Sequence, residues 1–405
     1  MPTTSYALKH ADELHILTQR LDRVEAFMNE YFDRGSRQAA VVKLQRFGKS
    51  IFEGSYGKLT NMESFGQDTI FPMASVTKPV MAALLLILQE DGLIDFGEPV
   101  SHFLPEFTGG GRGDVCVWHL LTHSSGINEE ELDKDFDHYI ENELGLKLLG
   151  DNATHKQWVE LHRNISIAMG LDPNGNELAD NPFYKFIITH DMKHKPRSEM
   201  TYCNLGFRML KVIVDKITGE PIDQFAKRVL FDPIGMHNTH FVLPREKWAL
   251  MAGRAEGAKG AKWYHTEDYF NDTNGASGMK STSNDISLFL QMLLDNGVAG
   301  GKRILSPASM QQMLVNHNEG VACGGDRKWS AWGYGINVRT DKHDDTGALR
   351  SSRAFCHGGW GGIKAAADPF YGTTMTIMSI EYDPEVREPE PLYARVFNIL
   401  CTAME

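Results

Sequence analysis

Ser75 and Lys78 stand three residues apart at the head of "MASVTKPVMAALLLILQEDG" (73–92), a stretch that opens polar and turns apolar. On a helix, side chains three apart share a face, about 4.5 Å apart along the axis. The lysine amine then reaches the serine hydroxyl. Burial disfavours an ammonium, and so does the positive end of a helix dipole. Both lower the lysine's pKa and make it a base able to activate the serine. The serine N–H lies among the unpaired donors of a helix start, where it can hold an oxyanion. The S-x-x-K pattern is weak by itself and occurs three times, at Ser55/Lys58, Ser75/Lys78 and Ser277/Lys280. Its ordinary reading is a helix-start serine beside a solvated lysine. Context separates the three: "GSYGK" and "GASGMK" are glycine-flanked, and only Ser75 heads a long apolar helix.

Two other stretches carry groups suited to the same chemistry. In "EMTYCNLGFRMLKVIVDKITG" (199–219), Tyr202 and Asn204 precede an amphipathic helix ending at Gly219. A phenol beside a lysine relays or accepts the serine proton; otherwise it packs at a helix entrance. "CHGGWGGIKAAADP" (356–369) is a glycine-dense break between two strands. Glycine there lets a backbone approach a substrate closely, or simply makes a flexible hairpin. Other motifs are set aside. "KLQRFGKS" (43–50) ends like a P-loop but has Lys43 where the first glycine belongs. "GGGRG" (109–113) reads as a surface loop. His190 and His194 sit at i,i+4 without an H-E-x-x-H, so no metal site is expected. No G-x-S-x-G elbow occurs. His123 reads as a packing residue.

Positioning these groups requires a scaffold, and the pattern predicts one. A charged amphipathic helix is expected over 10–34, and strand, turn, strand over 39–57. The Ser75 helix stops at Gly92, a C′ glycine. Helices are predicted over 117–123, 131–149, 155–169, 204–218, 221–231, 284–296 and 306–315. After 330 the pattern changes to strands over 332–340, 350–357, 363–369 and 372–382. Asp344-Asp345, Gly358 to Gly362 and Tyr371-Gly372 supply turn signals. The tail, 391–404, is helical. The fold class expected is therefore α/β (α+β): an antiparallel sheet flanked by helices, built from both termini, with an inserted helical domain. Its boundaries are 10–114 and 275–405 for the sheet domain and 115–274 for the helical one, with the active site at their interface.

Composition bounds the rest. A chain of 405 residues with 42% hydrophobic and 23% charged residues is an ordinary globular mix. Net charge −12 with no basic cluster disfavours nucleic acid as a partner. The opening residues show no apolar signal core. The longest apolar run, Val80 to Leu88, falls far short of the ~20 residues of a membrane span. Five scattered cysteines without C-x-x-C point to neither a disulfide framework nor zinc. A cytoplasmic protein is expected.

In this order, Ser75-Val76-Thr77-Lys78, Tyr202-Cys203-Asn204 and His357-Gly358-Gly359 resemble the S-x-x-K, Y-x-N and K-T-G or H-G-G motifs of the serine β-lactamase-like superfamily. The likeness is nearest to class C β-lactamase-like proteins and family VIII carboxylesterases. "VWHLLTHSSGI" (117–127), "GLIDFGEPVSHFLPEF" (92–107) and "GASGMKSTSNDISLFLQMLLDNG" (275–297) resemble further family segments. The resemblance implies that Ser75 is an acyl-accepting nucleophile, with Lys78 and Tyr202 sharing base and acid work. It implies that Asn204 orients Lys78 or binds substrate, and that the Ser75 and Trp360 N–H groups form an oxyanion hole. No cofactor is implied. His357 stands where lactamases and peptidases often carry lysine. A neutral imidazole holds a carboxylate less well than an ammonium, and Trp360 adds aromatic bulk, so a small-molecule ester is the expected substrate. Acyl transfer to an alcohol or amine, D-amino-acid amide or peptide cleavage, weak β-lactam hydrolysis and a non-turnover binding role on the same fold are the alternatives. Oligomeric state is not readable.

Overall fold

Phe47 and Gly48 both take positive φ, 48° and 72°. That pair is the two-residue turn whose twist matches a hairpin, and it folds β1 (Arg37–Arg46) onto β2 (Lys49–Gly57). The computed structural model describes residues 13–405 except 36, 151–152, 176–177, 259, 262, 325–329, 341–345 and 383–390. The expected turn at Asp344-Asp345 and the first residues of the expected 10–34 helix lie outside them. Four later strands complete a sheet with this hairpin: β3 (Asn337–Val338), β4 (Phe355–Gly359), β5 (Ile363–Asp368) and β6 (Thr373–Glu381). The order is β2-β1-β6-β5-β4-β3, antiparallel throughout, so the two ends of the chain meet at the β1–β6 pair. The fold is mixed α/β, as the pattern predicts.

Alternation along the strands separates two faces. Val42, Leu44, Cys356, Ala366, Met375 and Ile377 pack against Leu21, Val24 and Met28 of helix Thr18–Asp33 and Val396, Phe397 and Leu400 of helix Leu392–Thr402. The other face carries helix Ser283–Leu294, where Ser283 and Thr376 hydroxyls meet at 2.6 Å in a buried pair. The first helix starts at Thr18 and not near 10, because Ile16 bridges to Met404 in extended form and buries beside the sheet.

The described residues form two compact units. One comprises those of Met1–Glu90, Glu220–Asn316 and Ala331–Glu405, and the other those of Asp91–Gly219 and His317–Ser330. The second unit is mainly helical. The expected 131–149 helix runs Glu129–Asn142. Gly145 breaks it with φ 66°, and Leu144, Leu146, Leu148 and Leu149 return as an apolar loop onto Ile140, Leu161 and Ile165. Helix Pro182–Thr189 was not anticipated from "PFYKFIIT", whose aromatic and β-branched residues favour strand. Asn181 caps it by accepting the Tyr184 N–H at 2.9 Å, and burial of Tyr184, Phe186 and Ile187 overrides propensity. "GGGRG" is not merely a surface loop. Arg112 is buried and donates to the carbonyls of Thr108, Ile187 and His190, anchoring the loop from within. The five cysteines are unbridged. Among the described residues no helix is long and apolar enough to cross a membrane.

Candidate active site

In the first unit, the Ser75 segment is held before it becomes a helix. Phe71–Pro72 pairs with Lys280–Ser281, and Met73 N–H donates to Met279 O at 2.9 Å. Ala74 then takes φ 44°, a left-handed conformation that costs a residue with a Cβ about 1 kcal/mol or more. A single 3-10 turn, Ala74–Val76, leads into helix Thr77–Glu90, so Ser75 lies one turn earlier than a simple helix start would place it. Its N–H is among those a helix start leaves without intrahelical acceptors. Thr77 fastens this turn twice: its hydroxyl donates to Ala74 O at 2.7 Å and accepts the Met279 N–H at 3.2 Å. From Thr77 through Leu86 the helix is buried, whereas Ser75 is partly exposed.

Lys78 is fully buried, and its Nζ contacts Ser75 Oγ at 2.9 Å and Ala276 O at 3.0 Å. Serine and lysine thus meet as the three-residue spacing predicts. The carbonyl from "GASGMK" was not anticipated, because backbone atoms leave no residue signature. The other two S-x-x-K patterns do different work. Ser55 lies within β2. Lys280 is buried, donates to Phe241 O at 2.7 Å and Asp272 O at 2.9 Å, and lies over the Tyr269 ring at 4.6 Å. Burial pulls its pKa down to about 7.

The end of β4 runs against the Ser75 turn. A Cβ on Gly359 would lie 2.4 Å from Met73 O, so no larger residue fits without displacing the strand or the turn. His357 is 4% exposed; its Nδ1–H donates to Gly358 O at 2.7 Å, and its ring packs 5.5 Å from Trp332. Gly358 and Gly359 are half-buried and Trp360 is exposed, its ring 6.2 Å from that of Tyr264. The strand therefore offers backbone and one indole at its open end, with the imidazole held inside.

The second unit carries Tyr202 and Asn204. The Tyr202 ring stacks on His123 with centroids 4.3 Å apart, and His123 Nδ1 accepts the Cys203 N–H at 3.0 Å. His123 is fully buried at φ 57°. Helix Asn204–Thr218 begins immediately after. The Cys203 thiol accepts the Gly206 N–H at 3.3 Å, and Glu129 takes the earlier donors. Its Oε2 accepts from Asn204 N at 2.8 Å and Asn204 Nδ2 at 3.2 Å, and its Oε1 accepts from Leu205 N. Glu129 lies 75 residues from Asn204, and only the fold brings them together. His190 donates to Phe186 O at 2.7 Å, and His194 meets Glu131 at 2.9 Å. Among the described residues no group of three or more His, Cys, Asp or Glu side chains is placed to hold a metal ion.

The Beta-lactamase family model matches residues 22–396, so the chain belongs to that family. It is a serine hydrolase of the β-lactamase fold. Esterase EstB of Burkholderia gladioli is 28% identical over 237 residues, spanning 56% of this chain and 52% of EstB. The crystal structure of a penicillin-binding protein homologue from Caulobacter crescentus aligns with TM-score 0.69 at 17% identity, over 95% of this chain and 98% of that one. A family VIII carboxylesterase aligns with TM-score 0.64 at 19% identity, over 94% and 97%.

Proposed function

We propose that this chain cleaves carboxylic esters of small molecules through an acyl-Ser75 intermediate. The observation that carries the reading is the buried Lys78 amine lying 2.9 Å from Ser75 Oγ while Ser75 itself is partly exposed. A neutral amine tied to Ala276 O by one N–H presents its lone pair to the serine hydroxyl. Ser75 Oγ then attacks the acyl carbon as its proton passes to Lys78. The oxyanion forms on the Ser75 and Trp360 N–H groups. The C–O bond breaks, and the leaving alcohol collects a proton through Lys78 and Tyr202. Water, deprotonated by the same pair, releases the acid and restores Ser75.

Esters are favoured over β-lactams and D-peptides by His357. Those substrates carry a carboxylate, which an imidazole holds less well than a lysine ammonium would, and here the imidazole directs its Nδ1–H at Gly358 O. The identity with esterase EstB supports the same choice. A panel of p-nitrophenyl esters of graded length, a chromogenic cephalosporin and D-alanyl amides tests it, with Ser75→Ala alongside. Ester turnover should exceed the others, and intact mass should show one acyl adduct that Ser75→Ala lacks. Undiminished turnover in that variant, or cephalosporin cleaved faster than ester, would overturn the reading. Product formed on an added alcohol in place of water would redirect it to acyl transfer.

A further inference from the structure

We infer that Ser379, oriented by Arg37, is a positioning residue that fixes how the turn after β4 presents the Trp360 N–H. The inference rests on the acyl-serine reading above, in which that N–H is one of two oxyanion donors, and every residue it uses lies in the first unit. Gly359–Gly362 is a four-residue turn closed by the Gly362 N–H on Gly359 O at 3.4 Å. Gly361, its third residue, takes φ 87°, a left-handed value that a type II turn reserves for glycine. A trans peptide sends its C=O and its N–H opposite ways. With Gly359 O drawn into the turn, the Trp360 N–H of the same peptide faces outward. Gly359 itself abuts the Ser75 turn, where a Cβ on it would meet Met73 O. The orientation of this one peptide therefore decides where the donor points.

A buried polar chain holds the turn from β6 and β1. Gly361 O accepts the Glu381 N–H at 3.1 Å, and Gly362 O accepts twice from Ser379, from its N–H at 3.0 Å and its hydroxyl at 2.7 Å. The two backbone bonds would form with any residue at 379 that carries an N–H, whereas the third needs a hydroxyl. Arg37 directs that hydroxyl: its Nη1 donates to Ser379 Oγ, and its Nη2 pairs with Glu381 Oε1 at 2.5 Å. A guanidinium only donates, so the Ser379 oxygen accepts from Arg37 and its single hydrogen is aimed at Gly362 O. The Tyr31 and Tyr393 hydroxyls accept from the same guanidinium at 3.4 and 3.0 Å and hold it in place. Ser379 and Arg37 are both buried, so bulk water does not compete for these bonds. A Cβ on Gly362 would lie 2.4 Å from Ser379 Oγ, so turn and hydroxyl are fitted to each other.

The test compares a p-nitrophenyl ester with its thionoester, in which sulfur replaces the acyl oxygen, on the full-length chain. Acylation is read as single-turnover release of p-nitrophenol. Donors set for an oxyanion fit the larger sulfur poorly, so a well-formed site acylates the ester much faster than the thionoester. Ser379→Ala removes the hydroxyl and keeps the backbone bonds. Its acylation by the ester should slow on the order of 10-fold, short of the roughly 10²–10³ that follows outright loss of a donor, while the thionoester should slow much less. Arg37→Lys, which keeps the charge and loses the planar fork, should lower the ester-to-thionoester ratio by itself and no further in the Ser379→Ala background. Equal slowing of both substrates in Ser379→Ala would mean that Ser379 serves only the sheet, and would overturn the proposal. So would unchanged acylation by the ester. Multiplying effects of the two substitutions on the ratio would overturn the action of Arg37 through Ser379. Should Ser379→Ala fail to fold, Ser379→Cys, close in shape but a weak donor, enters the same comparison. Failure of the acyl-serine reading shows separately, as no Ser75 adduct in the wild-type chain.

Discussion

Lys78 is an ionisable side chain that the fold has taken wholly out of water, and its burial is rational only through what its Nζ touches. Burying an amine costs several kcal/mol unless it is hydrogen-bonded, and Ser75 Oγ and Ala276 O supply those bonds. Lys78→Met keeps the length of the side chain and removes the amine. We expect kcat to fall about 10²–10⁴-fold, the scale of a lost general base, with stability changed by only about 1–3 kcal/mol as Ala276 O loses its partner. Single-turnover acylation of Ser75 together with thermal melting checks this. Acylation at the wild-type rate would remove Lys78 from the mechanism. Gly359→Ala makes the complementary change in backbone. Its Cβ would meet Met73 O at 2.4 Å, so either β4 or the Ser75 turn must shift. We expect at least a tenfold loss of kcat and about 1–3 kcal/mol of overpacking. Wild-type kcat in this variant would show that the strand end does not define the reacting geometry.

Short helices are held by specific partners more than by propensity, and Val117–Leu121 shows how one such partner sets a pH limit. His119 Nδ1 accepts the Cys116 N–H at 2.9 Å, a role open only to neutral imidazole. Burial first, and the Arg197 charge second, push its pKa down to about 4. The unfolded chain binds the proton first as pH falls, so this contribution is complete above about pH 6.5 and declines toward pH 4, by up to about 3 kcal/mol. His240, pushed down to about 4 by burial and neighbouring lysines, adds in the same direction. His119→Gln keeps an acceptor that does not titrate. Urea denaturation at pH 7 and pH 4.5 should show a smaller acid loss than in the wild type; equal losses would mean that His119 is already protonated in the fold. The same scale explains what was readable beforehand. The Ser75 helix, the 39–57 hairpin and strand Thr373–Glu381 announced themselves through an apolar run, a turn signal and β-branched residues, whereas only Asn337–Val338 of 332–340 is strand and the strand expected over 350–357 begins at Phe355. Helix Pro182–Thr189 did not, because tertiary burial decided it against local preference. Ala276 O and Met279 N could not, since a carbonyl or amide belongs to every residue. Glu129 sat unmarked in an acidic run, and its relation to Asn204 exists only after folding.

Across the whole molecule, 53 acidic residues outweigh 41 basic ones. The resulting negative field acts at long range on whatever approaches Ser75, while two buried cations lie close to the end of β4, the Arg254 guanidinium beside Gly361 and the Lys364 amine beside Gly358. Where long-range charge repels a substrate, salt raises the encounter rate, because the Debye length shrinks from about 30 Å at 0.01 M to about 8 Å at 0.15 M. Three esters of matched acyl length separate this from local chemistry: a neutral p-nitrophenyl ester, one with a terminal carboxylate and one with a quaternary ammonium. Between 0.01 and 0.15 M salt, kcat/KM for the anionic ester should rise severalfold, the neutral ester should hold steady and the cationic ester should fall, the span expected of steering effects. Ser75→Ala should abolish all three signals. An anionic ester whose kcat/KM falls with salt would reveal a fixed cation at the acyl site that outweighs the net charge, and the preference argued from His357 would then have to be reversed in favour of carboxylate-bearing substrates.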